Sequence, residues 1–213
     1  MQNDFYEKKE YKINRFRKKA ILEMLGSAEE ILDIGCAGGE LGEIIKKEKG
    51  AAVFGIEISQ DAAQRAGQKL DQVFRFDVSR SFEEWPAALK GLKFNGIVIS
   101  EVLEHLFYPE DLLDKIKAIM APGAELIITV PNFLFWKNRL KIFFGNFEYH
   151  SEGLLDRGHI HFFTWQSLER LIGDCGFRIL KTRHHIPTRG AKLFGRIFPG
   201  LFAYQFIVKA ILK

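Results

Sequence analysis

The 213-residue chain holds only two cysteines, Cys36 and Cys175, far apart in sequence. That excludes a disulfide framework and makes a reducing, cytoplasmic setting the default expectation. Long apolar runs are also missing. The most apolar late stretch, Phe198 to Leu212, is broken by Pro199, Gly200, Gln205 and Lys209, so it cannot span a bilayer. The first twenty residues are polar and charged, so no cleavable signal is expected. Internal repeats and low-complexity stretches are absent. What remains is 47% hydrophobic and 27% charged, an ordinary globular composition that rules out a disordered or collagen-like chain. The length suits one domain able to bury a core without staples.

Charge is unevenly spread. The net charge is +4, but residues 1–19 carry seven basic residues (Lys8, Lys9, Lys12, Arg15, Arg17, Lys18, Lys19) against Asp4, Glu7 and Glu10. Residues 175–213 carry Arg178, Lys181, Arg183, Arg189, Lys192, Arg196, Lys209 and Lys213 with no acid. The segment between is acidic. The basic ends are read either as solvated surface or as a rim that attracts a phosphorylated substrate, nucleic acid or an anionic membrane surface.

Hydrophobic periodicity predicts a helix over 13–25, stopped by Gly26. Short buried strands are predicted at Glu30–Ile34, Ala51–Ile56, Val73–Phe76, Gly96–Ser100 and Glu125–Val130. Helices are predicted at Glu40–Lys49, Asp61–Leu70, from Pro109 to about Met120, and at Trp165–Asp174, with Pro122-Gly123 as a turn. Two last strands are expected at Phe177–Thr182 and Phe202–Val208. Strand and helix alternate without hairpin signals, which argues for a parallel sheet covered on both faces. Residues 131–163 break the pattern; they are aromatic-rich (Phe133, Phe135, Trp136, Phe143, Phe144, Phe147, Tyr149) and suit a cap over a pocket or an ordinary packed excursion. Residues 1–26 read as a helical lead-in and 175–213 as basic closing strands of the same domain.

Polar residues collect at the C-terminal ends of the strands: Asp33, Glu57, Asp77 and Glu101. Open α/β sheets bind ligands at that edge. The densest signal is Asp33-Ile34-Gly35-Cys36-Ala37-Gly38-Gly39, a strand running into a small-residue turn and then a helix, where backbone can approach a ligand and free N–H groups can face an anion. A carboxylate at Glu57 can accept both hydroxyls of a ribose. Asp77 can hold an adenine amino group. A dinucleotide fingerprint needs glycine where Ala37 and Glu40 stand, so that reading fits poorly.

These motifs resemble the class I S-adenosylmethionine-dependent methyltransferases over roughly residues 15–210. The resemblance implies a Rossmann-like three-layer α/β/α sandwich with a seven-stranded, mostly parallel sheet of order 3-2-1-4-5-7-6 and the last strand antiparallel. It implies S-adenosylmethionine as donor and S-adenosylhomocysteine as product. The donor contacts would come from Asp33, Gly35, Cys36, Ala37, Gly38, Gly39, Glu57, Ile58, Asp77, Val78, Ser100 and Glu101. The glycine that the family often carries is Ala37 here. Cys36 is read as packing near the donor rather than as a nucleophile.

After the fourth strand come Glu101, Glu104 and His105; in a helical turn their spacing puts them on one face, as a half-site for a divalent metal. The layout is similar to that of ubiquinone-biosynthesis O-methyltransferases and small-RNA 2′-O-methyltransferases, where a later residue completes the set. By its offset to Thr164, His159 matches best and His161 next. His105 and His159 are alternatively read as base or orienting group without metal, or the Glu-Val-Leu-Glu-His-Leu stretch simply shapes the donor pocket. The stretches Gly158–Thr164 and Phe198–Tyr204 also resemble methyltransferases of bacterial surface-glycan and lipid pathways. The expectation is therefore methyl transfer to an oxygen of a small, amphiphilic or anionic acceptor. The alternatives are an RNA 2′-O-methyltransferase and a donor-binding protein without catalysis. Peripheral membrane contact through the basic tail is a further expected partner.

Overall fold

The computed structural model describes residues 14–151, 153–187, 195 and 197–213. Of the tail cations singled out from the sequence, Arg189, Lys192 and Arg196 lie outside these residues.

The strands are β1 (Glu30–Ile34), β2 (Ala52–Glu57), β3 (Gln72–Arg75), β4 (Phe94–Ser100), β5 (Met120–Pro131), β6 (Phe177–His185) and β7 (Gln205–Leu212). They form one seven-stranded sheet in the order β3-β2-β1-β4-β5-β7-β6, the expected order. β1 to β5 pair in parallel, and β7 runs antiparallel to both β5 and β6. The helices are α1 (Arg15–Met24), α2 (Glu40–Lys49), α3 (Gln60–Ala66), α4 (Ala87–Lys90), α5 (Pro109–Lys117), α6 (Trp136–Phe143), α7 (Trp165–Asp174) and α8 (Pro199–Phe202).

The side-chain alternation of the strands sorts the core into two layers. Leu32 and Ile34, Ile97 and Ile99, Leu126 and Ile128, Phe206 and Val208 point to one face, where Leu112, Leu113 and Ile116 of α5 and Leu168 and Ile172 of α7 cover them. Ile31, Val53, Val98, Ile127 and Ile207 point to the other, under Ala20, Ile21 and Met24 of α1 and Leu41 and Ile45 of α2. Local chemistry sets the helix ends. α2 begins after Gly39 with Glu40 and Glu43 in its first turn and ends with Lys46, Lys47 and Lys49 in its last, each sign matched to the helix dipole. α7 starts with a capping box between Thr164 and Ser167.

α1 is tied down at its C-terminal end. Lys209 and Lys49 donate to the carbonyls of Met24 and Leu25, and Glu125 accepts from the Gly26 N–H. Near its start, Phe16 stacks on His185 of β6 at 4.9 Å.

Several boundaries differ from the expectation. β5 begins at Met120 rather than Glu125, and its pairing with β4 jumps from Phe94↔Met120 to Gly96↔Glu125, so the Pro122-Gly123 turn is absorbed as an irregularity inside the strand. The predicted strand from Phe202 begins instead at Gln205, where residues become buried on both faces; Pro199 at a first helical position starts α8 ahead of it. α3 stops at Ala66, four residues early, because β3 begins at Gln72. Within 131–163, α6 forms where no regular element was predicted.

Candidate functional site

The site lies at the C-terminal edge of β1, β2 and β4, where the chain reverses direction across the sheet between β1 and β4. The turn after β1 is held in left-handed backbone at Gly35 (φ 73°), Ala37 (φ 48°) and Gly39 (φ 81°). Gly35 leaves no room for any side chain: a Cβ there would sit 2.5 Å from Cγ2 of Val102. Glycine is thus dictated at Gly35 by both strain and space.

Glu57 locks this turn to β2. Its Oε2 accepts from the Ala37 N–H at 2.9 Å, and its Oε1 accepts from the Ile58 and Ser59 N–H groups, each at 2.9 Å. Beside it Asp33 is buried, and its Oδ2 has no hydrogen-bond partner among the described residues. Burial, then the Glu57 carboxylate, pushes the Asp33 carboxyl up to about 7, against the pull of Arg17. Cys36 is buried and packs over Gly55, whose added Cβ would meet its Sγ at 2.6 Å. Burial and the Asp33 carboxylate hold its thiol protonated, which removes it as a nucleophile. Asp77 lies just past β3, where its Oδ1 accepts from the Ser79 N–H at 2.9 Å, and Val78 is buried next to it.

Arg17 is the residue that sequence reasoning missed. Its guanidinium reaches from α1 to the end of β4, with Nη1 3.3 Å from Oε2 of Glu101 and the side chain only 12% exposed. Its Nε is buried without a partner among the described residues. A signal was present. Arg17 stands in helical register with Ala20, Ile21 and Met24, so it is a cation on the inward face of α1. Thr129 of β5 donates to Oε1 of Glu101 at 2.9 Å, and Ser100 lies 3.2 Å from the same hydroxyl.

Glu101 therefore does not join the cluster predicted for it. It adopts left-handed backbone (φ 59°), and only Leu103–His105 form a short 3₁₀ turn, so the helical turn that would align Glu101 with Glu104 and His105 does not form. The structure gathers Glu104, His105 and His159 instead, with ligand atoms all within 4.8 Å of one another. Glu104 is fully buried, and neither carboxylate oxygen has a hydrogen-bond partner among the described residues. Burial, then the neighbouring Glu101, raises its carboxyl well above the usual range. His159 Nε2 lies 3.9 Å from Glu104 Oε1. Nδ1 of His105 contacts the Gly158 carbonyl at 2.8 Å, and Nδ1 of His159 that of Leu154 at 3.4 Å. A carbonyl only accepts, so each histidine carries a proton on Nδ1, and in its neutral form it offers the lone pair at Nε2. His161, the other candidate, turns away; its Nε2 donates to the Phe107 carbonyl at 3.0 Å.

The loop that carries His159 is built for this placement. The N–H groups of Ile160 and His161 donate to the Glu104 carbonyl at 2.9 and 3.0 Å. Buried Asp156 accepts from the Gly158 N–H at 2.8 Å. On its outer side, His159 joins Glu148, Tyr149, Arg157, Ile160 and Phe162 in lining an open cleft of about 890 Å³.

The residues fit the groups that the sequence resemblance implies. The acids Asp33, Glu57 and Glu101 suit a donor with a sulfonium and an ammonium, the orphaned Asp33 oxygen suits a donor group, and Gly35 allows close backbone approach. The Glu104 carboxylate, whose oxygens have no hydrogen-bond partner among the described residues, and the two imidazoles beside it are a donor set for a borderline divalent cation.

Curated relatives include the ubiquinone biosynthesis O-methyltransferase of Psychrobacter arcticus, 29% identical over 164 residues, which cover 73% of this chain and 61% of that protein. The enzyme of the same name from Escherichia coli O157:H7 is 27% identical over 125 residues, 57% of this chain and 52% of that protein. The chain thus spans only about half to three-fifths of the length of these relatives. Among solved structures, a SAM-dependent methyltransferase from Archaeoglobus fulgidus superposes with a TM-score of 0.66 at 20% identity, covering 92% of this chain and 91% of that one. The magnesium protoporphyrin IX methyltransferase from Synechocystis PCC 6803, solved with bound SAH, gives 0.65 at 16% identity over 99% of this chain and 98% of that one. At such identities these two likenesses establish the fold. A family profile described as a methyltransferase domain matches residues 5–182, and with it the chain belongs to the methyltransferase-domain family.

Proposed function

We propose that this chain transfers the methyl group of S-adenosylmethionine to an oxygen of a small acceptor held in the cleft beside His159. The observation that carries the reading is the Glu57 carboxylate, fixed by three backbone N–H groups beside a side-chain-free glycine turn. Those bonds hold the carboxylate still at the end of β2, where it accepts the ribose hydroxyls of the donor. Asp77 and Val78 receive the adenine. Asp33 favours the cationic end of the donor, and Arg17 answers its carboxylate.

Methyl transfer from a sulfonium is an in-line displacement with a good leaving group, so most of the work is positioning. The segment 131–163 acts as the cap; it supplies the cleft and brings His159 to Glu104. Glu104, His105 and His159 would hold a divalent cation. Such an ion supplies Lewis-acid stabilisation to an acceptor oxyanion. The Nε2 lone pairs of the two histidines are also where an acceptor hydroxyl can give up its proton. The cleft volume, about 890 Å³, suits a small-molecule site and favours that class of acceptor over RNA.

Calorimetric titration with S-adenosylhomocysteine tests the reading. The wild-type chain should bind with a micromolar Kd. Glu57→Ala should weaken binding by about tenfold to a hundredfold, the range for losing charge-assisted hydrogen bonds. Absence of binding at millimolar ligand would overturn it.

A further inference from the structure

The last turn of α6 and the chain that follows form an unusually apolar exposed surface among the described residues. From Arg139 to Ser151 every residue is exposed, yet the stretch contains Leu140, Ile142, Phe143, Phe144, Phe147 and Tyr149. Phe143 and Phe144 are 81% and 77% exposed. Leu140, Phe143 and Phe144 share one helical stripe, so their apolar surfaces are contiguous. A second segment adds to it. Arg139 donates to the Gly200 carbonyl at 3.5 Å, which places α6 beside the chain that carries Ile197 and Phe198, themselves 65% and 58% exposed. Apolar surface gathered in this way marks an interaction site.

The charge around the patch selects the occupant. Asn132 to Tyr149 contains one acid, Glu148, next to the cleft, while Lys137, Arg139 and Lys141 rise from the same helix. None of the three forms an ion pair among the described residues; Lys137 lies over the Trp136 ring at 5.6 Å, and Arg139 spends its guanidinium on backbone carbonyls. A second copy of this chain on the same face would set these cations against their own images. A protein partner would need an acidic rim around an apolar centre. An anionic bilayer offers both together: phosphate charge for the lysines and arginine, and acyl chains for the phenylalanines.

We propose that α6 and the chain through Tyr149 dock this protein on the surface of an anionic lipid bilayer. No helix among the described residues is long and apolar enough to cross a membrane, so the contact is peripheral. The docking face leads to the cleft. Phe133 contacts Phe147 at 6.4 Å and Phe162 at 4.7 Å, and Phe147 contacts Tyr149 at 5.4 Å; Phe162 and Tyr149 line the cleft. An acceptor with an apolar tail can therefore enter from the bilayer along an aromatic track. The cations of the docking surface sit on α6, whereas the tail basicity first noted in the sequence lies in 175–213.

Vesicle flotation tests the proposal without requiring catalysis. The probes are phosphatidylcholine vesicles with and without phosphatidylglycerol. The wild-type chain should bind the anionic vesicles on the order of tenfold to a hundredfold more tightly, and added salt should weaken that preference. Phe143→Ser with Phe144→Ser should abolish binding to both kinds of vesicle. Lys137→Gln with Lys141→Gln should remove the preference for phosphatidylglycerol. Both double variants should bind S-adenosylhomocysteine as the wild type does, which separates this proposal from the methyltransferase reading. Three outcomes would overturn it: no vesicle binding, binding undiminished in the phenylalanine variant, or a wild-type dimer by light scattering that the phenylalanine variant dissociates.

Discussion

Arg17 places its guanidinium 3.3 Å from the carboxylate of Glu101, and so joins the first described helix to the end of the fourth strand. The contact turns an N-terminal cation into part of the site. Glu101 stands there in left-handed backbone (φ 59°), a conformation uncommon for a glutamate. If Arg17 serves the donor's carboxylate, Arg17→Gln should raise the Kd for S-adenosylmethionine by about tenfold or more, the scale of a charge-assisted hydrogen bond. Arg17→Lys should recover part of the loss, because Asp33 and Glu101 still face a cation. Calorimetry at constant ionic strength measures both.

Gly35 and Val102 set a packing limit. Alanine at Gly35 forces a Cβ to 2.5 Å from Val102 in a left-handed backbone. Gly35→Ala should destabilise the fold by about 2–4 kcal/mol, combining overpacking with backbone strain. Adding Val102→Ala should return the packing share but not the strain, and denaturant unfolding of the single and double variants would show the partial recovery.

Asp33 gives donor binding a pH dependence. Its folded-state value of about 7 stands above the unfolded value of 3.8. Between those two values the folded chain holds a proton that the unfolded chain has lost. This group's contribution to stability is therefore complete at acid pH and declines as pH rises through 7. A cationic donor prefers the ionised form, so affinity should increase from pH 6 to pH 8 and level off above. Asp33→Asn should flatten that profile. A series of titrations in matched buffers reads the slope directly.

The cation site is tested by composition rather than by activity. Equilibrium dialysis against manganese or zinc, followed by elemental analysis, should load the wild-type chain, whereas Glu104→Gln and His159→Ala should each reduce affinity by at least about tenfold, the size of effect seen when even a supporting group of a metal site is lost. Glu101→Gln should leave loading intact, because Glu101 stands with Arg17 and Thr129 instead.

The strands and the strand-end acids were legible because they depend on local signals, whereas the sheet order follows only from the family resemblance. Buried apolar runs end at Asp33, Glu57, Asp77 and Glu101, and small residues mark the first turn. What was not legible depends on pairing across the chain. Nothing local in Pro122-Gly123 says that β4 will recruit Met120 and make a strand of the turn. Glu101 looks like a partner for Glu104 by spacing, but its φ of 59° breaks the helical turn on which that spacing relied. His159 ranks above His161 only through its offset to Thr164 in the family resemblance, and the structure brings His159 to Glu104; the physical reason, the carbonyls of Leu154 and Phe107 that orient the two rings, has no local signal. Arg17 disappears into a basic segment until α1 is seen to bury that face.

The central claim is that the edge formed by Asp33, the glycine turn, Glu57 and Asp77 is a binding site for the methyl donor. Crystals of the chain grown with S-adenosylhomocysteine test it most directly. The account predicts density with ribose hydroxyls on the Glu57 carboxylate, adenine beside Asp77 and Val78, and the amino-acid end between Asp33 and Arg17. Density for the ligand elsewhere, or none at this edge at saturating concentration, would contradict it.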